Sequence, residues 1–353
     1  MASAYLRRIG TAVPKHDIHE QFVRFAEEML LDPGARAIFR RLASKSGIQH
    51  RYSCLGSERG AAGNATDAFT VYASGTFPTT QRRMQIFEQC APPLVHQSLN
   101  QLALTAEELS RIRHVVVTCC TGLYAPGLDF EVLDHLGLPP STERTMIGFM
   151  GCYAAINALR LARHIVRSRP DDAVLVVNLE LCSLHFHQTQ DLHDVLSFLL
   201  FADGCAAALV DASPAGLEMD EFRSLQIDHT RDSITWRVGD MGFDMFLSTH
   251  VPQQILGAMR QSAGLVVEDR QIDLWAVHPG GRAILDAVER GLNLDPQKLA
   301  SSRKVLQEYG NMSSATVMFV LQELMRTSTQ GQQGCAMSFG PGLTAEIMHF
   351  HAV

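Results

Sequence analysis

The chain has 353 residues, of which 46% are hydrophobic and 19% charged, and its formal net charge is -7. This length accommodates two domains, or one large α/β domain with an ample core. The acidic balance offers no electrostatic surface for nucleic acid or for an anionic membrane. No apolar run reaches the roughly 20 residues needed to cross a bilayer. The N-terminal residues lack the apolar core of a signal peptide, so we expect a cytoplasmic protein.

Apolar, β-branched runs alternate with helical patterns along the chain, which is typical of a layered α/β fold. The predicted buried strands are 114–118, 173–178, 205–210, 274–277 and 334–339. Helical spacing of apolar residues predicts one helix over 155–167 and a second beginning near Ser313. The two halves therefore share one plan of strand, turn, reactive residue, helix and strand, with a seam at 204–214. The segment 57–80, rich in Gly, Ala, Ser and Thr, is interpreted as a loop or a loosely helical cap.

Eight cysteines are present. Most of them lie inside apolar runs and no C-x-x-C pair occurs, which favours buried free thiols over disulfides or a zinc site. The stretch Leu184–His187, with His193 and Asp194 nearby, contains possible metal ligands. Because no third ligand stands at a convincing spacing, we predict that the protein holds no metal.

Cys152 follows Gly151 at the predicted start of the first helix. A free thiol titrates near about pH 8.5, and a helix N-terminus lowers that pKa because unpaired N–H groups and the dipole stabilise the thiolate. A single cysteine is more often a small packing residue. The helix start and two suitable partners elsewhere in the chain favour a nucleophile here.

His278 and Asn311 are those partners, and each lies on a Gly-flanked turn after an apolar run. Taken singly, a His at a strand end or a Gly-Asn turn before a helix is common and does not indicate a function. Together with Cys152 they suit thioester chemistry, with a nucleophile to hold an acyl group and two donors for an enolate oxygen. Such donors are typically worth on the order of 3 kcal/mol each. In the loop 338–344, Gly340 allows close approach of the backbone to a ligand, although a simple turn would look the same.

Four segments carry a resemblance to a known family: Gly151–Ala154, Trp275–Gly281, Tyr309–Ser314 and Phe339–Thr344. They resemble the motifs of type III polyketide synthases, the chalcone and stilbene synthase family within the thiolase superfamily. The resemblance runs from Ile9–Pro14 to the C-terminus, and its motifs are highly specific.

The resemblance implies a thiolase-like five-layered αβαβα fold of two related halves. Residues 1–212 would form the half with the nucleophilic cysteine, and residues 213–353 the half with the histidine and asparagine. It further implies a homodimer that condenses an acyl-CoA starter with malonyl-CoA, without a carrier protein and with no cofactor beyond these thioesters.

By the same resemblance, Cys152 carries the starter and the growing chain, and His278 and Asn311 hold the malonyl thioester carbonyl during decarboxylation. His278 would also keep Cys152 as a thiolate. Phe201 matches a gatekeeper phenylalanine, whereas the second gatekeeper position falls on Met245, which suggests a wider passage.

The resemblance places two basic residues, Arg41 and Lys45, at the mouth of the CoA tunnel, although a solvated helix face is an equally simple interpretation. The other cavity positions that it implies are Cys120, Glu180, Cys182, His185, Trp236 and Ser313. Cys120, Cys182 and His185 stand where plant enzymes have threonines, and Trp236 replaces a glycine. Glu180 and Ser313 are kept from the aldol-cyclisation network, which lactonisation to a pyrone does not need. A catalytic role for His185 is a hypothesis.

Two alternatives stay open. A β-ketoacyl-acyl-carrier-protein synthase III-like enzyme uses the same three residue types, but needs a carrier protein. A non-catalytic relative would bind acyl-CoA without turnover, although the three reactive residues are all present. The starter, the number of extensions and the mode of cyclisation are not determined by the sequence.

Overall fold

The computed structural model describes residues 2–55, 72, 77–267 and 270–353. Most of the segment predicted as a loop at 57–80 lies outside these residues. The strands are β1 (Tyr5–Ala12), β2 (His16–Asp17), β3 (Tyr52–Ser53), β4 (Ile112–Cys119), β5 (Glu143–Gly148), β6 (Ala173–Leu181), β7 (Asp203–Asp211), β8 (Leu217–Gln226), β9 (Ile234–Gly239), β10 (Gly242–Leu247), β11 (Leu274–Val277), β12 (Gln333–Gly340) and β13 (Thr344–Ala352).

The α-helices of this part of the chain are α1 (His19–Met29), α2 (Pro33–Ala43), α3 (Thr80–Asn100), α4 (Ala106–Arg111), α5 (Leu128–Leu136), α6 (Ala154–Ser168), α7 (Leu192–Phe198), α8 (Val251–Gln261), α9 (Ala263–Val267), α10 (Arg282–Gly291), α11 (Ala300–Tyr309) and α12 (Thr316–Thr327). Within the described residues, none of the helices is both long and apolar enough to span a membrane.

Nine strands form one mixed sheet in the order β11-β12-β13-β8-β1-β7-β6-β4-β5. β4 runs parallel to β5 and β6, and β11 runs parallel to β12, whereas the strands between these two groups pair antiparallel. β9 and β10 form a separate hairpin. The parallel groups matter for function because their carboxyl ends are where α/β proteins gather their sites.

The central strands are buried on both faces. All nine residues of β6 are buried, and their side chains alternate between two core clusters. Val174 and Val176 belong to the inner cluster, whereas Leu175 and Val177 belong to an outer one. A strand with helices on both sides reads as a continuous apolar run, which is why the sequence predicts this segment well.

Two helices, α6 and α12, form the middle layer. Leu159 of α6 and Leu321 of α12 share one core cluster with Val176 of the first half and Met348 of the second. Further helices cover the outer faces, where α3 packs into the first outer cluster and α8 and α10 into the second. The strands of the first half and those of the second half thus pack on opposite sides of α6 and α12, although they belong to one continuous sheet. The result is the five-layered αβαβα arrangement of the thiolase-like fold.

The predicted elements are confirmed. The five predicted strands correspond to β4, β6, β7, β11 and β12, and the first predicted helix corresponds to α6. The second begins with a 3-10 turn, Ser313–Ala315, before α12. The boundary at 212/213 falls in the connection between β7 and β8.

Candidate active site

One apolar cavity of about 90 Å³ collects most of the residues that the sequence singles out. Cys120 follows β4 and Cys182 follows β6, so both lie at the same edge of the sheet, as carboxyl ends of parallel strands do. His278 follows β11 in the other half. The predicted residues that line the cavity are Cys120, Cys152, Cys182, Phe201, Trp236, Met245, His278, Asn311, Ser313 and Gly340.

Cys152 lies in a 3-10 turn, Gly151–Tyr153, that leads into α6. Gly151 has φ of 72°, and a Cβ there would stand 2.3 Å from Cδ of Pro341. A glycine is therefore required directly before the cysteine. The Cys152 thiol donates a hydrogen bond to Ser313 Oγ at 3.7 Å.

The prediction that the helix start lowers the pKa of Cys152 is wrong. Burial raises the pKa of the thiol to about 12, although hydrogen bonds from Ser313 and Asn311 act in the opposite direction. Desolvation penalises the thiolate more than the helix start stabilises it. Cys152 is therefore a neutral thiol at neutral pH.

His278 is 1% exposed, and burial lowers its pKa to about 3, so its ring is neutral. Its backbone N–H donates to Met337 O at 2.7 Å, which holds the residue against β12. Neither ring nitrogen has a hydrogen-bond partner among the residues that the structure describes. A buried polar atom without a partner is costly, and here both atoms belong to a residue on the cavity wall, where a ligand can satisfy them.

Asn311 has a fixed orientation. Its Oδ1 accepts a hydrogen bond from Ser313 N at 2.8 Å and a longer one, 3.4 Å, from Thr316 Oγ1. Its Nδ2 donates to Gly280 O at 3.2 Å. An amide nitrogen carries two hydrogens, and the second N–H of Asn311 is directed at the Cys152 thiol, whose pKa it lowers.

The hairpin β9–β10 forms one wall. Trp236 and Met245 lie directly opposite each other in its ladder, and both line the cavity. The indole Nε1 of Trp236 donates to Cys120 O at 2.7 Å, so the ring is tied to the end of β4. The backbone N–H of Gly151 donates to the Cys120 sulfur at 3.0 Å, which joins this wall to the nucleophile turn.

Glu180 is fully buried below the cavity and does not line it. Its carboxylate accepts hydrogen bonds from Ser314 Oγ at 2.6 Å, Thr121 Oγ1 at 2.8 Å and Cys120 N at 3.0 Å. Glu180 forms its hydrogen bond with Ser314 and not with Ser313, because the Ser313 hydroxyl faces Cys152. Burial raises the pKa of Glu180 to about 7.

His185 also stands off the cavity surface, which corrects its expected place in the lining. It is 0% exposed, and its Nε2 donates to Thr121 O at 2.6 Å while its Nδ1 accepts from Phe243 N at 3.1 Å. The ring stacks on Phe243 at 4.2 Å and meets Trp236 edge-on at 5.5 Å. Burial lowers its pKa to about 3. His185 therefore supports the wall from behind.

Arg41 and Lys45 are exposed and do not reach the cavity. Their neighbours Leu42 and Ser46 line a surface groove of about 400 Å³. The groove and the cavity share four lining residues: Leu247, Val251, Gly280 and Ile284. The groove therefore adjoins the cavity, but neither Arg41 nor Lys45 is among the residues that line it, and their contact with CoA stays a prediction.

The possible metal ligands are separated. His185 and His187 bond to backbone oxygen atoms, of Thr121 and Phe243 respectively. Only Asp191, His193 and Asp194 come together among the described residues, with ligand atoms within 4.8 Å of one another. Asp191 accepts from His193 N at 2.7 Å as the N-cap of α7, so capping explains its position.

The loop 338–344 lines the cavity through Phe339, Gly340 and Pro341. The sequence does not single out several other residues that line the cavity: Thr121, Phe198, Ile234, Thr235, Leu247, Val251, Ile255 and Ile284. Ile234 and Trp236 alternate along β9, a period-two signal that marks one face of a strand. Phe198 offers no such signal, since it ends the short helix α7.

Comparison with known proteins identifies the family. The model of the N-terminal domain of chalcone and stilbene synthases matches residues 2–214, and the model of their C-terminal domain matches residues 222–353. The chain belongs to the chalcone and stilbene synthase family. It is therefore a type III polyketide synthase, an acyltransferase-type condensing enzyme.

Two relatives of this polyketide synthase match over nearly its whole length. The alpha-pyrone synthesis polyketide synthase-like Pks18 of Mycobacterium tuberculosis is 34% identical, covering 99% of this chain and 91% of the relative. Bisdemethoxycurcumin synthase of Oryza sativa is 32% identical, covering 98% and 91%. Both relatives are similar enough in sequence to this chain to belong to the same family.

Solved structures of the family have the same fold. PKS-I from the brown alga Ectocarpus siliculosus superposes with a TM-score of 0.85 at 30% identity, covering 100% of this chain and 99% of that one. The bacterial type III polyketide synthase 1,3,6,8-tetrahydroxynaphthalene synthase of Streptomyces coelicolor has a TM-score of 0.85 at 27% identity, covering 99% of each chain.

Proposed function

We propose that this polyketide synthase loads an acyl-CoA starter onto Cys152, extends it with malonyl-CoA, and releases an alkylpyrone or a resorcinol- or phloroglucinol-type product. One observation carries the proposal. Cys152 shares a cavity with Asn311 and with a neutral His278, and neither ring nitrogen of His278 has a hydrogen-bond partner among the described residues.

Loading begins from the neutral thiol. As the starter thioester enters, the Cys152 proton passes to His278 and the sulfur attacks the thioester carbonyl. A carbon–sulfur bond to Cys152 forms, the bond to the CoA sulfur breaks, and the CoA thiolate takes the proton back from the imidazolium. Burial raises the pKa of the thiol and lowers that of the imidazole, so this proton transfer starts from two neutral groups.

Extension needs a stabilised enolate. Malonyl-CoA loses carbon dioxide when the bond between its carboxylate and its α-carbon breaks, and the electron pair moves onto the thioester oxygen. The second N–H of Asn311 and the N–H of neutral His278 donate to that oxygen. Donors held ready in an apolar cavity need no reorganisation as the charge develops.

Condensation completes each cycle. The enolate carbon attacks the acyl carbonyl on Cys152, a carbon–carbon bond forms, and the bond to the Cys152 sulfur breaks. The thiolate that leaves can accept the lengthened chain from CoA for another round. No step requires a redox cofactor or a metal.

Several features favour an aliphatic starter and a lactone product. Met245 gives a flexible apolar wall where the family resemblance suggests a second phenylalanine gate. Glu180 already accepts three hydrogen bonds from protein groups, so a lactonisation that does without it is the simpler release. The relative Pks18 is named for alpha-pyrone synthesis.

We further propose a cytoplasmic homodimer in which β5 lies at the interface. This strand ends the nine-stranded sheet, and five of its six residues are exposed. Met146 and Phe149 leave 46% and 36% of their surface exposed there. An uncovered edge strand with apolar side chains is an association surface. Sedimentation at micromolar concentration would give one subunit mass if this proposal were wrong.

The decisive experiment is a mass-spectrometric product survey with malonyl-CoA and acyl-CoA starters from acetyl to palmitoyl, without carrier protein. Products that grow by decarboxylated malonyl units would support iterative condensation. Turnover only after addition of carrier protein would favour the ketoacyl synthase alternative, and binding without turnover the non-catalytic one. Cys152→Ala should abolish every malonyl-dependent product, whereas Cys335→Ala, at a buried thiol outside the cavity, should not.

A further inference from the structure

Arg51 is a charged residue that the chain buries almost completely, with 1% of its surface exposed. Its Nη1 donates to Phe201 O at 2.6 Å and to Phe198 O at 3.0 Å, and its Nε donates to His19 Nδ1 at 3.1 Å. The guanidinium lies 4.5 Å from the centre of the Phe22 ring. Among the described residues it forms no ion pair with a carboxylate.

A buried cation without a carboxylate is costly unless other groups stabilise it. Phe198 is the last residue of α7, and the carbonyl oxygens at a helix C-terminus carry partial negative charge. Burial lowers the pKa of Arg51 to about 9, so it is still charged at neutral pH. The carboxylates of Asp17 and Asp203 also stabilise this charge, whereas the direct contacts of the guanidinium are His19 and the two backbone carbonyls.

Those carbonyls belong to the segment 198–202, here called the gate segment, because the side chains of Phe198 and Phe201 line the cavity. Its other side is held by the backbone of Asn311. Asn311 N donates to Leu200 O at 2.8 Å, and Ala202 N donates to Asn311 O at 2.9 Å. The gate segment is thus clamped between a guanidinium and the residue that offers an N–H to the substrate.

The stem of Arg51 also touches the loop that carries Asn311. Gly310 has φ of 68°, and a Cβ there would stand 2.8 Å from Cγ of Arg51 and 3.0 Å from Leu200 O. Only a glycine leaves room for the stem at this point. Arg51 therefore contacts both the gate segment and the residue before Asn311, although it does not line the cavity.

We propose that Arg51 is a positioning residue that sets the gate segment and Asn311 relative to each other. Starter selection through Phe198 and Phe201, and enolate stabilisation through Asn311, would then both depend on a side chain that touches neither substrate. This inference rests on the proposed condensing function, since selection and decarboxylation are steps of that reaction.

Arg51→Lys tests the proposal. Lysine keeps the charge but presents a single ammonium, which cannot reach His19 and both carbonyls in the planar pattern of a guanidinium. Loss of a hydrogen bond to a charged group should raise amide exchange in the gate segment and at Asn311 about tenfold or more. We also expect kcat/KM to fall about tenfold for the preferred starter and less for poor ones, so that discrimination along the starter series flattens.

The chain contains a matched control, Arg83. It is 0% exposed, its Nε donates to Pro78 O at 2.8 Å, and its Nη1 donates to the carbonyls of Leu184 and Phe186, the latter at 2.9 Å. None of these three residues lines the cavity. Arg83→Lys should therefore lower the melting temperature, as we also expect of Arg51→Lys, while amide exchange at the gate segment and at Asn311 stays at the wild-type value.

The proposal is overturned if Arg51→Lys keeps wild-type exchange at the gate segment and wild-type starter ratios, or if Arg83→Lys raises that exchange as strongly. Should Arg51→Lys fail to fold, His19→Ala removes one acceptor of the same guanidinium and must shift both readouts in the same direction. Amide exchange needs no turnover. A wild-type protein without any product would contradict the proposed function, while the exchange comparison would still decide the role of Arg51.

Discussion

The side-chain oxygen of Asn311 accepts a 2.8 Å hydrogen bond from the backbone N–H of Ser313. This contact decides which end of the amide is presented to a ligand. Ser313 has φ of 46°, an uncommon value for a residue other than glycine, and the turn it makes directs its N–H back at Asn311. The amide nitrogen is thereby left as the donor.

Asn311→Asp should slow malonyl-CoA decarboxylation about 100- to 1,000-fold, the usual effect of losing one donor to a developing oxyanion. Aspartate keeps the acceptor for Ser313 N but offers the enolate a second negative charge. Carbon dioxide release measures the effect, and the melting temperature checks that the fold is intact. Asn100→Asp on the exposed end of α3 is the control. A loss smaller than tenfold would remove Asn311 from the proposed mechanism.

Glu180 should make the protein less stable as pH rises. Its carboxyl group titrates near 4.5 when unfolded, and burial raises that pKa to about 7 in the fold. The stability it contributes is full below pH 4.5 and is lost as pH rises to 7, a difference on the order of 3 kcal/mol. Glu180→Gln should flatten the unfolding free energy over this interval in urea titrations. The exposed Glu107→Gln is the control, and an unchanged slope in Glu180→Gln would contradict the argument.

Trp236 should limit the length of the chain that the cavity accepts. Trp236→Ala removes the indole from the wall and should shift products toward longer starters or further extensions. Trp236→Phe keeps most of the bulk but loses the hydrogen bond to Cys120 O. If the volume of the side chain at position 236 sets the product length, Trp236→Phe should retain the wild-type products. A product distribution in Trp236→Ala that matches wild type would place the limit elsewhere.

His185→Gln should leave the pH dependence of turnover unchanged between pH 6 and 9. Burial lowers the pKa of His185 to about 3 and both ring nitrogens are already bonded, so the ring neither titrates in this range nor reaches substrate. The product distribution should nevertheless shift, because His185 ties the β9–β10 hairpin to Thr121. Buried His349→Gln, whose Nε2 bonds Val266 O outside the cavity, should shift neither. A changed pH profile in His185→Gln would restore the catalytic hypothesis.

Local patterns in the sequence predict the strands and the three reactive residues. Cys152 and Asn311 each directly follow a glycine, and His278 precedes Pro279 and Gly280; such turns are recognisable without tertiary information. The continuous apolar run of β6 likewise predicts its burial on both faces. These features depend on neighbours within a few residues, which is why sequence patterns capture them.

Other properties arise only from contacts between distant segments. The pKa of Cys152 rises because both halves of the chain exclude water from it, and no local signal reports that burial. His185 lies behind the cavity wall because β10 crosses in front of it, which residue spacing does not reveal. Arg51 resembles any surface arginine until α7 and the Asn311 loop close around it.

The position of β1 has a consequence for how the protein folds as it is translated. β1 lies in the middle of the sheet, where Tyr5 pairs with Asp211 of β7 and with Glu218 of β8. These partners leave the ribosome about 200 residues after β1, which at roughly 5–20 residues per second is a delay of ten seconds or more. During that time an apolar strand has no partner, and closing so long a loop is slow. The N-terminal half of this synthase therefore cannot complete its part of the sheet until β7 has been made, and its yield in the cell should depend on chaperones that shield the nascent chain.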